Sequence, residues 1–386
     1  MSSSLPEFLE HIVAKDTKVS VHDLVLDGTK VGFWPERIAA WQRGEKIAPV
    51  TIDASWTRKC QASCHFCYAQ LQSNNGSGEI TKQNAFDFLS DAAEIGVRGI
   101  SLISDGESSM VPWYAESIEH GAKCGLAIGI GSNGVALRRP VLERILPHLS
   151  YLRFNFSAGE QKRYAEIMGL RQAVFDVVKQ NIRDAMEIVR RDQLSVTVNM
   201  QMVCHPKDAD QILPFARLVR ELSPSYGILK HCADSRERDL GVNYGDYTAM
   251  HDLFREAEAM GDSELRIVAK WQKIQNDGKR QYTRCFGPPF ICQLSGSGLF
   301  APCGMLFNER FRAFHIGWIT KQRFRDIWAS DRYKEVMDYL AGDHFNPQDR
   351  CGAQCLQDRV NDYLYRYVNG QVELPTTTPP PHLEFI

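Results

Sequence analysis

Three cysteines near residue 60 have the spacing of ligands to a metal cluster. The run CQASCHFC contains Cys60, Cys64 and Cys67, separated as CxxxCxxC. Three thiolates can hold three irons of a cubane cluster and leave the fourth iron without a protein ligand, whereas clusters that only carry electrons usually have four cysteine ligands. A metal with an open position can bind a reactant. The alternatives are a zinc knuckle or scattered core cysteines, but His65 lies inside the tight loop and is poorly placed to complete a zinc site.

The sequence before these cysteines predicts where they lie in the fold. Residues 50–56 form a short apolar, β-rich run, which predicts a buried strand. The cysteines follow at its carboxyl end, where α/β barrels place their chemistry. This arrangement resembles the radical S-adenosylmethionine (SAM) superfamily, whose signature is a CxxxCxxC loop after the first barrel strand. In that signature an aromatic residue, here Phe66, precedes the third cysteine.

Alternating strand and helix patterns predict the fold class. Amphipathic helical stretches lie between apolar strand-like runs, and this alternation predicts βαβ units with a parallel sheet. The six strand candidates are 50–56, 98–104, 126–131, 150–156, 195–203 and 226–231. Six strands match the incomplete, TIM-like (β/α)6 barrel of the superfamily that the chain resembles. We therefore expect an α/β protein built on a partial barrel.

Motifs after the later strands resemble the elements that hold SAM in this superfamily. The run SDGES resembles a Gly-Gly-Glu element, with Asp105 in place of the first glycine. The run GIGSNG resembles an element near the SAM ribose, and a serine follows the fourth strand candidate. Without the resemblance, the first two runs would be ordinary turns after strands. The resemblance implies the following SAM-binding residues: Phe66, Gly106, Glu107, Ser132, Asn133 and Ser157.

A second set of cysteines lies in the C-terminal part of the chain. Cys285 and Cys303 follow a C-x12-G-x4-C spacing, and Cys351 and Cys355 form a C-x3-C pair about fifty residues later. This pattern is similar to the SPASM/twitch extension of radical SAM enzymes, which implies one auxiliary [4Fe–4S] cluster held by these four thiolates. A structural zinc site is the alternative, and Cys292 could replace one of the ligands.

These patterns divide the chain into five expected segments. They are an N-terminal extension over 1–48, a radical SAM partial barrel over 49–235, a helical bridge over 236–280, a SPASM/twitch-like auxiliary cluster domain over 281–365 and a proline-rich tail over 366–386. The tail is expected to be extended and to build no core.

Composition excludes several classes of protein. The 386 residues are 44% hydrophobic and 24% charged, as in ordinary globular proteins. No apolar run approaches the roughly 18 residues of a membrane span, and the N-terminus has no secretory signal pattern. A net charge of −2 gives no electrostatic footprint for nucleic acid, although it does not exclude a local basic patch. Eleven cysteines in such a chain favour metal ligation over disulfides. We expect a cytoplasmic protein with no membrane or nucleic-acid partner.

Further polar residues follow the last strand candidates at the catalytic end of the barrel. Cys204 and Cys232 could each return a hydrogen atom to a substrate radical, as radical epimerases of the superfamily do, although buried free cysteines usually act as small apolar residues. Lys230, His231 and Asp234 lie on the same rim and could bind substrate or accept a proton.

The resemblance implies a radical SAM iron–sulfur enzyme, an oxidoreductase or epimerase. A donor such as flavodoxin or ferredoxin would supply the electron that cleaves SAM, and a 5′-deoxyadenosyl radical would then abstract hydrogen from a substrate C–H bond. We expect dehydrogenation or epimerisation at a carbinol carbon of a sugar- or cyclitol-like small molecule, because no peptide-recognition domain is evident. Dehydrogenation is favoured, since four spaced auxiliary ligands form a stronger pattern than two lone cysteines. Peptide or protein side-chain maturation is the alternative, and a non-catalytic cluster or zinc scaffold is the third.

Overall fold

The computed structural model describes residues 23–74, 76, 78–276, 278–352 and 355–386, and residues 1–22 of the predicted N-terminal extension lie outside them. The strands are β1 (Thr51–Ala54), β2 (Gly99–Leu102), β3 (Ala127–Ser132), β4 (Tyr151–Asn155), β5 (Thr197–Cys204), β6 (Tyr226–His231), β7 (Arg266–Ala269), β8 (Ile291–Leu294), β9 (Leu299–Ala301) and β10 (Gly317–Trp318). The α-helices are α1 (Pro35–Gln42), α2 (Lys82–Ile95), α3 (Tyr114–Lys123), α4 (Arg139–Ile145), α5 (Gln161–Met168), α6 (Ala173–Arg191), α7 (Ile212–Leu222), α8 (His251–Ala259), α9 (Trp271–Gln275), α10 (Phe324–Ala329), α11 (Asp331–Ala341), α12 (Pro347–Arg350) and α13 (Asp358–Val368). In this part of the chain, no helix has the length and apolar character needed to span a membrane.

All ten strands belong to one sheet, in the spatial order β10-β9-β8-β1-β2-β3-β4-β5-β6-β7. Strands β1 to β7 run parallel in chain order, β8 joins the other side of β1 in parallel, and β9 and β10 are antiparallel. The six predicted strands are β1 to β6, which confirms the predicted α/β fold with a partial barrel. The sheet is longer than predicted, because β7 lies within 236–280, where the sequence predicts a helical bridge, and β8 comes from the C-terminal region.

The two faces of the barrel strands differ in polarity. Successive strand residues face opposite sides of a sheet. Ile52, Ile100 and Leu152 belong to the apolar set that packs in the main core. The alternate set lines the inside of the barrel and includes Asp53 and Arg153. Because strands of parallel sheets are usually apolar on both faces, polar residues inside this barrel mark a place for a ligand rather than a packed core.

The helices that cover the barrel begin and end at local sequence signals. Helix α2 starts with a capping box in which the side chains of Thr81 and Asn84 each accept the other residue's backbone N–H. The same helix ends at Gly96, whose φ of +97° lies in the left-handed region that favours glycine. Helix α6 buries one apolar face, including Ile182 and Ile188. These helices hold the strands so that the loops after them converge.

The C-terminal region adds a hairpin to the sheet of the barrel. Strands β8 and β9 are joined by a turn at Gly298, whose φ is +85°. Cys285 precedes β8 and Cys303 follows β9. The hairpin therefore brings these two cysteines to its open end.

The C-terminal tail closes the amino-terminal end of the barrel. The Thr51 hydroxyl donates to the carbonyl oxygen of Glu384 at 2.7 Å. The ring of Phe385 packs edge-on against Tyr151, with 4.9 Å between ring centres. Thr51 and Tyr151 are the first residues of β1 and β4. The tail, which the sequence predicts to be extended, has no regular secondary structure here, but it forms the floor of the barrel opposite the CxxxCxxC loop.

Candidate active site

The CxxxCxxC loop follows β1 and rests on the end of helix α5. The backbone N–H of Ser63 donates to the carbonyl oxygen of Met168 at 3.0 Å. Gly169 follows that helix with a φ of +62°, and a Cβ atom there would lie 2.6 Å from the Ser63 hydroxyl oxygen. Glycine at this position therefore permits the close approach of the loop. His65 Nε2 lies 2.8 Å from Asp208 Oδ2, so the loop histidine is engaged by a neighbouring carboxylate.

The three loop cysteines line one cavity and lie close enough to shift the pKa of one another's thiols. Burial raises the pKa of the Cys64 thiol, and the neighbouring Cys67 and Cys60 raise it further. The Asn133 amide Nδ2 donates to Cys60 Sγ at 3.6 Å. Crowded thiolates that repel one another need a positive centre, and hydrogen bonds to ligating sulfurs are one way in which proteins tune iron–sulfur clusters. These residues therefore fit a cluster with three cysteine ligands.

The turn after β2 packs directly on the cysteine loop. Gly106 has a φ of +73°, and a Cβ atom there would overlap the Thr57 carbonyl oxygen. The backbone N–H of Glu107 donates to the Lys59 carbonyl oxygen at 2.9 Å. Both contacts require the two loops to stay close, so the carboxylate of Glu107 lies beside the cysteines.

Glu107 is a buried carboxylate on the wall of the cavity, with 5% of its surface exposed. It accepts hydrogen bonds from Ser132 Oγ at 2.9 Å, from the Asn133 backbone N–H at 2.8 Å and from Ser109 Oγ at 2.6 Å. Within the described residues it has no ion-pair partner. A buried carboxylate held in this way suits an ammonium group, because charge-assisted hydrogen bonds are strong in a partly dry site.

Phe66 and Ser157 are placed differently from each other. Phe66 lines the cavity. Ser157 is fully buried, and its hydroxyl oxygen accepts the backbone N–H of Val203 at 3.1 Å. Because Ser157 does not line the cavity, its contact with the SAM ribose stays a prediction.

The C-terminal cysteines come together at the open end of the hairpin. Burial raises the pKa of the Cys285 thiol, and Cys355, Cys351 and Cys303 raise it further. Cys292 lies on β8 and donates through its thiol to the Pro288 carbonyl oxygen at 2.9 Å. The structure therefore groups Cys303, Cys351 and Cys355 around Cys285 and leaves Cys292 apart from them.

Nitrogen donors surround the C-terminal cysteines. Arg280 Nη2 lies 3.6 Å from Cys351 Sγ, and Asn361 Nδ2 lies 3.6 Å from Cys355 Sγ. Two other guanidinium nitrogens of Arg280 are buried without an acceptor, which suits the sulfides of a cluster. Among the described residues, no three His, Cys, Asp or Glu side chains are grouped so that they could hold a single metal ion. A cubane does not need such a group, because each of its cysteines binds a different iron.

Asp105, which replaces the first glycine of the expected element, connects the two cysteine regions. Its carboxylate accepts a hydrogen bond from Ser295 Oγ at 2.7 Å and another from the Gly296 backbone N–H at 2.7 Å. Ser295 and Gly296 belong to the turn between β8 and β9. The departure from the expected motif thus has a structural role, since it ties the turn after β2 to the C-terminal hairpin.

One cavity of about 590 Å³ joins these features. The cysteine loop and Glu107 form one part of its wall, and the polar inner face of the barrel forms another. Gln293 and Gln357 enter from the C-terminal region, and residues 381, 382, 385 and 386 of the tail also line it. A volume of this size lies in the usual range for small-molecule sites, roughly 300–1,000 Å³.

The residues predicted to be catalytic do not all reach this cavity. Lys230 and His231 line it. Burial lowers the pKa of Lys230 to about 7, with Lys273 and Arg153 contributing to the shift. Among the described residues, the Lys230 ammonium has no hydrogen-bond or ion-pair partner, so it is available to a ligand.

Cys204, Cys232 and Asp234 lie behind the cavity wall. The Cys204 thiol donates to the Met202 carbonyl oxygen at 3.8 Å, and the Cys232 thiol donates to the Phe66 carbonyl oxygen at 3.6 Å. Asp234 accepts backbone N–H groups from residues 235, 240 and 242 at 2.7–3.1 Å and so orders the loop after β6. None of the three lines the cavity as the structure stands, and their catalytic roles stay predictions.

Sequence reasoning missed several polar residues inside the barrel. Tyr68, directly after the third loop cysteine, is half-buried on the cavity wall, and burial raises the pKa of its hydroxyl, with Asp53, Cys67 and Cys303 among the other causes. Arg153 lines the middle of the cavity. The usable signal was the alternation of polar and apolar residues along the barrel strands, which marks the residues on the inner face.

Two family models match the chain. The model described as the Radical SAM superfamily matches residues 54–219, and the SPASM model, described as an iron-sulfur cluster-binding domain, matches residues 285–356. The chain is 23% identical over 308 residues to the AdoMet-dependent heme synthase of Methanosarcina barkeri, covering 73% of this chain and 83% of that protein. It is 26% identical over 175 residues to the PqqA peptide cyclase of Gluconobacter oxydans, covering 45% of this chain and 47% of that protein.

Solved structures share this fold. SuiB of Streptococcus suis bound to S-adenosylmethionine matches with a TM-score of 0.60 and 13% identity, over 79% of this chain and 72% of that chain. Native anSMEcpe with bound AdoMet matches with a TM-score of 0.56 and 12% identity, over 82% of this chain and 94% of that chain. At these identities the likeness shows the fold: a partial barrel followed by a C-terminal cluster-binding region.

Proposed function

Because this chain belongs to the radical SAM superfamily and carries a SPASM-type iron–sulfur domain, we propose that it dehydrogenates a carbinol carbon of a sugar- or cyclitol-like small molecule. The observation that carries this proposal is the cavity inside the barrel, which joins the CxxxCxxC loop and Glu107 to a wall of polar strand residues. A substrate there would lie beside the place where SAM is held, and its hydroxyl groups would meet amide and charged side chains.

Separate groups of residues would hold the two clusters and SAM. Cys60, Cys64 and Cys67 would hold the first cluster, and the Glu107 carboxylate would bind the ammonium group of SAM. When bound, the first cluster with SAM supplies a 5′-deoxyadenosyl radical that removes a hydrogen atom, and the auxiliary cluster supplies an electron acceptor. Cysteines 285, 303, 351 and 355 would hold that auxiliary cluster.

Lys230 is the residue that we assign as proton acceptor. A lysine with a pKa near 7 is partly neutral at neutral pH, so it can take the hydroxyl proton as the carbinol becomes a carbonyl. Loss of a hydrogen atom, a proton and an electron completes a two-electron oxidation. The position of Lys230 on the wall of the cavity, where the substrate would bind, supports this assignment.

The placement of the two lone thiols supports dehydrogenation over epimerisation. An epimerase must return a hydrogen atom to the opposite face of the substrate radical. The thiols of Cys204 and Cys232 are fully buried and donate to backbone carbonyls. Burial raises the pKa of both thiols. Neither residue lines the cavity.

Modification of a peptide or protein side chain is the second candidate function. It is supported by the similarity to PqqA peptide cyclase and by the fold shared with SuiB bound to its precursor peptide SuiA, at 12% identity and a TM-score of 0.61. The two functions differ in which compounds raise 5′-deoxyadenosine formation above the rate without substrate. Sugars and cyclitols should do so for the first function, and short peptides for the second.

Anaerobic reconstitution tests the proposal. The wild-type protein should bind about eight irons and eight sulfides, as two cubane clusters require, and should form 5′-deoxyadenosine from SAM with dithionite as reductant. With its substrate, a dehydrogenase gives a product two hydrogens lighter, whereas an epimerase in deuterium oxide gives a product that carries solvent deuterium. A fully loaded protein that forms no 5′-deoxyadenosine would exclude radical SAM chemistry, and solvent deuterium at an inverted carbon would exclude dehydrogenation.

A further inference from the structure

The wall of the cavity carries an excess of positive charge. Among the residues that the structure describes, seven cationic side chains and three carboxylates line it. The cations are Lys30, Arg153, Lys230, Arg266, Lys270, Lys273 and Arg359, and the carboxylates are Asp27, Asp53 and Glu107. The whole chain has a formal net charge of −2, so this excess is local to the cavity. Buried charges of one sign are costly unless partners compensate them.

Most of these cations have partners within the chain. Lys30 Nζ donates to the His382 carbonyl oxygen at 2.7 Å, and Arg359 Nε lies 3.5 Å from Asp27 Oδ2. The other contacts involve backbone carbonyls: Arg266 with Leu24, Lys270 with Leu26, and Lys273 with Cys355 and Leu356. These five side chains join the N-terminal segment, the tail, the C-terminal region and the barrel to one another.

Arg153 is different, because among the described residues its guanidinium has no hydrogen-bond or ion-pair partner. Its Nε–H is buried without an acceptor, and a buried donor without an acceptor costs stability. The backbone makes room for this side chain: Gly131 on β3 pairs with Arg153 on β4, and a Cβ atom at Gly131 would lie 2.9 Å from Arg153 Nη2. The inner wall is therefore built to hold an arginine whose own chain gives it no acceptor.

Asp53, a carboxylate on the same wall, forms no ion pair or hydrogen bond with Arg153. Asp53 accepts a hydrogen bond from Gln293 Nε2 at 3.0 Å. Burial raises the pKa of Asp53 to about 6, although Arg153 and Lys230 act in the opposite direction. Burial and the nearby cations lower the pKa of Lys230 to about 7. An anion bound between these groups would offset the repulsion among the cations.

A polar acceptor beside Arg153 indicates a second functional group of the ligand. Asn199 is buried on the neighbouring strand β5 and lines the cavity. Its Nδ2 donates to the Tyr226 hydroxyl at 3.0 Å, and its Oδ1 has no donor. A free amide oxygen suits a hydroxyl group, which agrees with a polyhydroxylated ligand.

We propose that the substrate carries an anionic group, a carboxylate or a phosphate, that Arg153 binds in the middle of the barrel. The proposal rests on the proposed function in one respect, since it takes this cavity to be the substrate site. A guanidinium matches both anions, because its planar N–H groups pair with two oxygens at once. In the bound state the anion satisfies the Nε–H, and Asn199 accepts a hydrogen bond from a neighbouring hydroxyl.

Anion binding to the reconstituted holoprotein without SAM tests this proposal independently of SAM cleavage. The probes are sodium acetate and inorganic phosphate at fixed ionic strength, with chloride as the reference, and the measurement is isothermal titration calorimetry. We expect wild-type protein to bind at least one probe, and the one that binds more tightly identifies carboxylate or phosphate as the group. The Arg153→Gln variant should bind it at least about tenfold more weakly, which corresponds to about 1.4 kcal/mol. The Arg255→Gln variant, changed on the exposed face of α8, should match wild type.

A second measurement needs no variant. Phenylglyoxal modifies accessible arginines, and mass spectrometry reports the extent at each position. The anion that binds should protect Arg153 and leave Arg255 unprotected. Failure of both anions to bind, equal binding by the Arg153→Gln variant, or equal modification of Arg153 with and without the anion would overturn the proposal. Because none of these readouts involves 5′-deoxyadenosine, they separate this proposal from the proposed function.

Discussion

The two cysteine sites of this protein depend on the fold to different degrees. The first uses three cysteines on one loop between residues 60 and 67, which follows a single strand and rests on a single helix. The second collects four cysteines from both sides of a hairpin and from the loop before α13. The first site leaves one iron of a cubane without a protein ligand, whereas the second can ligate all four. The site with an open iron is therefore built from one loop, whereas the fully ligated site is built from segments that are distant in the sequence.

This difference has consequences for how each site responds to change. The first site should be lost only when its own ligands or the contacts of its loop change. The second also depends on the pairing of β8 with β1 and on the Asp105 contacts to the hairpin turn. It should therefore be more sensitive to changes that lie outside its ligands.

The largest expected effect comes from removing a ligand of the first site. The Cys64→Ala variant should lose about four irons and form no 5′-deoxyadenosine, because two remaining thiolates cannot hold a cubane. The matched control is Cys124→Ala, a change at the half-buried cysteine after α3, which does not line the cavity. It should keep the iron and the activity of wild type. Wild-type SAM cleavage by the Cys64→Ala variant would reject the assignment of the first site.

Removing a ligand of the second site should have a narrower effect. The Cys303→Ala variant should also lose about four irons, but it should still form 5′-deoxyadenosine, because the first loop is intact. Product should fall much further than 5′-deoxyadenosine if the second site accepts the substrate electron. Cys292→Ala is the control in the same hairpin and should keep its iron. The reverse result, with iron lost from Cys292→Ala and kept in Cys303→Ala, would assign Cys292 as the ligand.

The loop site could be predicted from sequence because all of its cysteine ligands lie in one short segment. Cys60, Cys64 and Cys67 lie within eight residues, and the strand before them is a continuous apolar run. The six strands of the barrel were predictable for the same reason, since each is flanked by turn residues and amphipathic stretches. Strand β7 was not, because the apolar run within Arg266–Ala269 is only three residues long and lies in the stretch 236–280, which is rich in charged residues.

The contacts between residues on the inner face of the barrel could not be predicted, because they depend on which strands are neighbours. The run GIGSNG ends the strand candidate 126–131, so the sequence already places Gly129 and Gly131 in a strand but gives no reason for glycine at these positions. In the structure, Gly129 and Gly131 lie inside β3, where they leave room for the side chains of Tyr151 and Arg153 from β4. Only Gly134 in this run has a positive φ, at +78°. A pairing between strands has to be known before such glycines can be assigned to packing rather than to a turn.

A smaller effect should follow from changing the link between the two sites. The Asp105→Gly variant restores the glycine of the expected motif but leaves the Ser295 hydroxyl and the Gly296 N–H buried without an acceptor. We expect the free energy of unfolding to fall by about 1–3 kcal/mol, as measured by chemical denaturation. Asp105→Asn keeps one acceptor oxygen and should lose less. If the comparison of the two sites holds, a chelator should remove iron from the auxiliary site of the Asp105→Gly variant faster than from the loop site, and equal rates would contradict it.

The smallest expected effect concerns the reduction potential of the auxiliary site. Arg280 is half-buried with its Nε and Nη1 atoms inaccessible to solvent, and its Nη2 lies 3.6 Å from Cys351 Sγ. Reduction adds a negative charge to a cluster, so a nearby guanidinium favours the reduced state and raises the potential. The Arg280→Gln variant should keep its iron and show a midpoint potential lower by tens of millivolts, where about 59 mV is a tenfold change for one electron.

Arg284→Gln, which removes a half-exposed arginine paired with Asp343, is the control and should leave the potential unchanged. An electron paramagnetic resonance titration measures both variants, and an unchanged potential in Arg280→Gln would show that its buried charge does not act on the cluster. The loop site has Asn133 rather than a cation at its sulfur, so its potential should not respond to either change.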